Sequence, residues 1–263
     1  MDVTQAGEAS EMLVRHWREG TVLAALPEPL RPTTRAEGYA IQAQLERLSA
    51  KPLWGWKIAA TSTAGQQHIG VDGPLAGRLL AEMVYADGAT LPFGANRMRV
   101  AEAEFAFRMG RALPPREEAY SVKEVLDAVA GLHAAIEVPD SRFTDFATAG
   151  AAQLIADNAC AHQFVLGPEA TAEWRGIDLA AHRVTARVAG QPEREGRGSN
   201  VLGDPRLALA WLANELSRHG VTLAAGQVVT TGTCIVPLEV APGDEVVAEY
   251  GALGRVSMKL TQA

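Results

Sequence analysis

The run VAEAEFAF, residues 100–107, carries two glutamates one residue apart inside an otherwise apolar stretch. Alternate side chains of a strand point to opposite faces, so Ala101, Ala103, Phe105, Phe107 and Met109 form one apolar face. Glu102 and Glu104 share the other, with Cα atoms about 6.5–7 Å apart. Two such carboxylates repel each other, and any burial demands a nearby cation or raised pKa values. The alternative is a face open to water, with both acids solvated. A third acid, Glu137, stands between Ile136 and Val138 in a second apolar run, HAAIEVPDSRF. Three carboxylates on neighbouring strands, without a His or Cys cluster, form a hard oxygen donor set that suits Mg2+ or Mn2+ rather than zinc. At this point the spacing leaves the solvated face and the metal site both open.

Lys57, in GWKIAATS, is the candidate cation. Burial beside an apolar strand draws its pKa down, and a carboxylate cluster pulls it up. Such an ammonium can pair with a substrate carboxylate or move a proton; a lysine snorkelling from a strand edge is the plain alternative.

The elements that must position these groups divide at about residue 52. Ala9, Met12, Leu13 and Trp17 recur at helical spacing. After the connector LPEPLRPTT, Thr34 and Glu37 read as a capping box opening a second helix with Ile41, Leu45 and Leu48 on one face. From Leu53 the texture turns to short β-rich runs between glycine turns: 53–61, 99–110 and 134–139, then HQFVLG, HRVTARVAG, QVVTTGT, DEVVAEYG and GRVSMKL. Two helices interrupt them. One starts at Ser121 and carries Val125, Leu126, Val129 and Leu132; the other runs from the cap Asp204 and Pro205 to Gly220. The expectation is an α+β fold: a helical region over 1–52 and a catalytic β-rich domain over 53–263, its large sheet system mostly antiparallel.

The formal net charge of −7, spread along the chain, argues against a nucleic-acid or anionic-membrane partner. Cys160 and Cys234 lack metal-type spacing and read as reduced thiols. The first twenty residues lack a secretory pattern, and no apolar run reaches membrane-spanning length, so a cytoplasmic protein is expected. His68, His133 and His162 each stand alone and read as surface or structural histidines, and Trp54 and Trp56 as packing residues.

GWKIAATS, VAEAEFAF, AIEVPDSRF, IADNA, GRGSNVLGDP with WLANEL, and TGT with APGD follow one another in an order that resembles the 2-oxopent-4-enoate hydratase / 4-oxalocrotonate decarboxylase family of the fumarylacetoacetate hydrolase superfamily. The resemblance runs from AEGYAIQ (36–42) to GRVSMKL (254–260). It implies a β-rich roll of mixed sheets, like the C-terminal domain of fumarylacetoacetate hydrolase, preceded by a small helical region. It implies a divalent metal, Mg2+ or Mn2+, on Glu102, Glu104 and Glu137, and a 2-oxo acid or 2-hydroxydienoate substrate chelating it. Lys57 then serves catalysis and substrate binding, joined by Asp157, Asn158, Ser199 and Thr233 as substrate-binding candidates. Asp157 and Asn158 can equally form a helix C-terminal turn. Gly196 and Gly198, flanking the Ser199 loop, would let backbone N–H groups approach an anion, or form a plain hairpin loop.

The implied reaction protonates a 2-hydroxy-2,4-dienoate at its far end and adds water at C4, giving a 4-hydroxy-2-oxo acid. Decarboxylation of a 2-oxo dicarboxylate and acylpyruvate-type C–C hydrolysis are the alternatives. A homo-oligomer is implied, as is association with a family relative, and a non-catalytic partner subunit is the reading from another class. The sequence departs from the family at one telling place. Hydratases resembling this chain carry an acid directly after the proline of a P-D-x-G stretch; here DGPLAGRLL puts Leu75 there, with Asp72 three residues earlier.

Overall fold

Asp2 and Gln5 exchange side-chain and backbone hydrogen bonds in a capping box that opens α1 (Val3–Glu19), and Gly20, at φ 64°, closes it. The structure, a computed structural model, describes residues 1–262; Ala263, the end of the expected β-rich domain, lies outside the described residues. Ala6, Ala9 and Leu13 of α1 pack on Leu26, Ile41 and Phe143. Thr34 caps α2 (Arg35–Ala43) by accepting from the Glu37 N–H. The Glu37 carboxylate turns instead to the Thr33 N–H and the chain amino terminus, so the expected box is only half formed. A short α3 (Leu45–Leu48) completes the helical region.

In chain order the remaining elements are β1 (Leu53–Ala59), α4 (Thr63–His68), β2 (Leu75–Leu80), β3 (Val84–Ala86), β4 (Thr90–Leu91) and β5 (Val100–Met109). There follow α5 (Val122–Asp127), β6 (Val129–Val138), α6 (Ala151–Ala156), β7 (Gln163–Glu169), β8 (Arg183–Val188) and β9 (Arg194–Arg197). The chain ends through α7 (Pro205–Arg218), β10 (Val228–Thr233), β11 (Leu238–Glu239), β12 (Glu245–Glu249) and β13 (Arg255–Leu260). The larger sheet has the order β2-β1-β10-β5-β6-β7-β3, with β11 also pairing with β5; the smaller runs β4-β13-β12-β8-β9. Pairing is parallel at β1/β10, β3/β7 and β4/β13 and antiparallel elsewhere.

The apolar face of β5 (Phe105, Phe107, Met109) is fully buried and joins Val184, Ala248, Met258 and Leu212 in one core shared by both sheets and α7. Tyr250, at the end of β12, is completely buried and extends its hydroxyl to the larger sheet. The hydroxyl lies 2.8 Å from the Glu104 carbonyl and 3.2 Å from that of Ala135, tying the two sheets together behind the acidic face.

Two differences from the sequence pattern have a common cause. The helix opened by Ser121 stops at Asp127, and Val129 and Leu132 belong to β6. β6 pairs with β5 from Glu137 back to Val129, and a long ladder outweighs a helical periodicity of four apolar residues. Likewise LAGRLL, which carries no alternating signal, becomes β2 because it is buried on both faces beside β1. Among the described residues, no helix is long and apolar enough to cross a membrane.

Tyr250→Phe should lower stability by about 1–2 kcal/mol, because two buried carbonyls lose their shared donor. Urea unfolding checks this, and an unchanged midpoint would mean that the tie between the sheets carries no weight.

Candidate functional site

Strand register brings the acids together. Glu102 lies opposite Glu137 across β5/β6, and Glu104 lies opposite Ala135. Direct cross-strand partners share a face, and Glu104, two residues on, returns to it. One oxygen from each of the three carboxylates lies within 4.8 Å of the others. Glu104 and Glu137 are fully buried, whereas Glu102 is half-buried and lines a cavity.

Glu104 Oε2 accepts from the Thr230 hydroxyl and, at 2.8 Å, from the Gly232 N–H. Gly232 has φ 101°, and a Cβ there would sit 2.1 Å from Thr61 Oγ1, so this donor requires glycine. The other oxygen of Glu104, and Oε1 of Glu137, are buried without a hydrogen-bond partner. Orphaned acceptors of this kind cost free energy unless something binds them. Lys57 supplies part of the compensation. Its Nζ stands 3.0 Å from Glu137 Oε2, as an ion pair without hydrogen-bond geometry, and donates to the Ala159 carbonyl at 3.1 Å. Burial disfavours the Lys57 ammonium, but Glu137, Glu102 and Glu104 outweigh it and its pKa is raised. Burial likewise lifts all three carboxyls. Glu104 is pushed up to about 7, with the charge of Glu102 adding to burial, and Glu137 lies well above its ordinary value despite Lys57.

Lys57 meets the Ala159 carbonyl because the chain makes a left-handed turn there. Asn158, Ala159 and Cys160 have φ of 57°, 50° and 60°, a conformation costing about 1–2 kcal/mol per non-glycine residue. The Asn158 amide holds it, accepting from the Arg78 N–H at 2.6 Å and donating to the Arg78 carbonyl at 2.8 Å. Gly77 leaves room, since a Cβ there would lie 2.4 Å from the Asn158 carbonyl. Asp157 is buried against Arg142, accepting from its side chain, from its N–H at 3.0 Å and from Ser141 Oγ at 2.7 Å. The side chains of Asp157 and Asn158 therefore bind neighbouring protein groups, and neither residue lines the cavity.

The cavity has a volume of about 680 Å³. Lys57, Glu102, Thr233 and Cys160 line it, with Leu75 in its wall. The Thr233 hydroxyl donates to the Ile235 carbonyl at 2.9 Å. Ser199 is exposed and lies outside the lining, while its neighbour Asn200 belongs to it. The glycines beside Ser199 serve backbone packing: a Cβ would lie 1.9 Å from the Cys234 carbonyl at Gly196, and equally close to that of Leu179 at Gly198. The N–H groups of Arg197 and Gly198 donate to the Cys234 and His182 carbonyls, which removes them as anion donors. Asp72 is exposed, 3.4 Å from Arg35, and away from the cavity. A second cavity, of about 620 Å³ between α1 and residues 80–97, holds none of the three glutamates.

Thr230, Gly232 and the Ala159 carbonyl were not singled out from the sequence. TTG directly after an apolar strand is the visible trace of the first two; a main-chain carbonyl leaves none.

The profile of the fumarylacetoacetate (FAA) hydrolase C-terminal family matches residues 78–261. This chain belongs to that family. Among its relatives is a 2-keto-4-pentenoate hydratase of Paraburkholderia xenovorans (strain LB400), 32% identical over 259 residues, which are 97% of this chain and 95% of that one. A 2-hydroxyhexa-2,4-dienoate hydratase of Comamonas testosteroni is 32% identical over 250 residues, 93% of each. The 4-oxalocrotonate decarboxylase of Pseudomonas putida G7, complexed with magnesium and adipate, superposes with a TM-score of 0.89 at 26% identity, over 99% of this chain and 98% of that one. The mixed curled sheets with a small N-terminal helical region are thus the fold of this FAA hydrolase family member, as its sequence led one to expect.

In the metal-free protein Glu104 keeps its proton up to about 7, against 4.5 ordinarily. The folded state then binds more protons than the unfolded one across that interval, and stability should fall as pH rises from about 4.5 to 7. Thermal melts in EDTA check the sign; Glu104→Gln should flatten the slope, and a melting temperature that climbs over this range would contradict the buried cluster. Asn158→Ala should cost about 2 kcal/mol in urea unfolding through loss of the turn's clasp; an unaltered midpoint would count against it.

Proposed function

We propose that this protein is a divalent-metal-dependent hydro-lyase that adds water to a 2-hydroxy-2,4-dienoate of the 2-oxopent-4-enoate type, giving a 4-hydroxy-2-oxo acid. The observation that carries this reading is the convergence of three glutamates, two with orphaned buried oxygens, beside a cavity that opens to the surface. Support comes from hydratases aligned with almost the whole chain. The donor set fits a hard cation: all oxygen, anionic, and short of partners. Glu102, Glu104 and Glu137 would hold Mg2+ or Mn2+. When bound, the ion supplies positive charge beside the substrate carboxylate and 2-oxo oxygen, where negative charge develops.

The remaining work falls to the chain. Thr230 and Gly232 fix one oxygen of Glu104 and leave the other free. Lys57, held by the Ala159 carbonyl, presents a permanent cation to the substrate carboxylate and limits the repulsion among the acids. Apolar walls exclude bulk water from the reacting chain and admit it where the cavity opens. Besides Lys57 and Glu102, the titratable side chains of the lining are His68 and the Cys160 thiol. Burial pushes the thiol up to about 12, so it stays protonated. Residues 53–263 read as the catalytic unit and 1–52 as a helical buttress, since Val14 and Leu45 pack on Leu80 of β2.

The second reading, decarboxylation of a 2-oxo dicarboxylate, draws on the likeness to the oxalocrotonate decarboxylase. Incubation with 2-hydroxypenta-2,4-dienoate, followed by its ultraviolet absorbance and by product analysis, separates the two. Hydration should stop in EDTA and return with Mg2+ or Mn2+. Glu104→Gln should lower kcat/KM at least about 100-fold, since changes one shell further out already cost 10–100-fold. Turnover unaffected by chelation and by this substitution would defeat the metal role, and CO2 release from a 2-oxo diacid without hydration would favour the second reading.

A further inference from the structure

Away from the glutamates the cavity wall is mostly apolar, with Thr61, Ser62, Asn200 and Thr233 as its neutral polar side chains. Ile58, Leu75, Met98, Phe146, Leu154 and Ile235 face it. The wall continues to the surface at Val236, a lining residue left 71% exposed. Lys57 is the single ammonium among the lining residues, and no guanidinium is present. That ammonium is already engaged by Glu137 and the Ala159 carbonyl. Glu102 adds negative charge, and the His68 imidazole stands exposed beside Phe146, ring centroids 5.9 Å apart.

We propose that this site selects 2-oxo acids and 2-hydroxydienoates whose far end is an uncharged apolar chain, and rejects those ending in a second carboxylate. The inference rests on the reading above in placing the 2-oxo acid head at the glutamates. From there the tail lies along the apolar wall. A terminal carboxylate would give up its hydration there with no cation to replace it, and that cost is large. An alkyl tail gains instead, by about fourfold in affinity per buried methylene. A cavity of about 680 Å³ has room for several carbons beyond a five-carbon acid. Leu75 contributes to this choice, since an acid or an amide at its place in the wall would make the tail site polar.

Saturated 2-oxo acids, which cannot be hydrated, read this directly. Mg2+-loaded protein is titrated calorimetrically with 2-oxopentanoate, 2-oxohexanoate and 2-oxoheptanoate, and with the diacids 2-oxopentanedioate and 2-oxohexanedioate. Monoacid affinity should rise about fourfold per methylene. Each diacid should bind at least about 100-fold more weakly than the monoacid of equal length. Val236→Arg, at the exposed rim where folding is not at stake, should raise diacid affinity about fivefold. Diacids binding as well as monoacids, affinity flat with chain length, or no binding by any acid would each overturn the proposal. The dienoate assay fails separately. Hydration with indifferent diacid binding sinks the selectivity alone, and monoacid preference without hydration sinks the hydratase reading alone.

Discussion

Three carboxylates held on one face of a buried antiparallel pair repel one another, and the surrounding structure is arranged around that repulsion. The β5/β6 register puts Glu102 directly against Glu137, so their backbones cannot move apart without breaking the ladder. Threonine and glycine donors from β10 and the Lys57 ammonium offset part of the cost. The residue of that cost is visible in carboxyl groups lifted above their ordinary pKa and in oxygens that bind nothing within the protein. A fold that retains such a cluster is poised for a hard cation, whose binding turns repulsion among the acids into attraction.

The second expense lies in the left-handed turn at 158–160. Backbone in this region is held only where its surroundings over-determine it. Here the Asn158 clasp on Arg78, the Asp157–Arg142 pair and the space beside Gly77 combine to do so. What the strain accomplishes is local: the Ala159 carbonyl reaches Lys57, and Cys160 takes a place in the cavity wall. Asp157 and Asn158 thus influence the site through the backbone they fix.

Fold likeness to a decarboxylase and sequence likeness to hydratases meet in one chain. The glutamates and Lys57 form one charged cluster, of which Glu102 and Lys57 line the cavity. Leu75 stands in the largely apolar remainder of the lining. One fold can host several activities when the site grafted on it varies.

By itself the sequence determined the pairing of Glu102 with Glu104 on one strand face, because period two is a property of the backbone. It determined the strand of Glu137, the capped helix at Asp204 and the family order of motifs. It did not determine that β6 begins at Val129, since a ladder with β5 is a contact between distant segments. Nor did it reveal Thr230 and the Ala159 carbonyl as partners of the charged groups, or the retreat of Ser199 and Asp157 from the cavity. Those depend on which backbone atoms distant strands present to one another. Residue type records what chemistry a side chain can do; only the packed chain decides which of its neighbours it does it with.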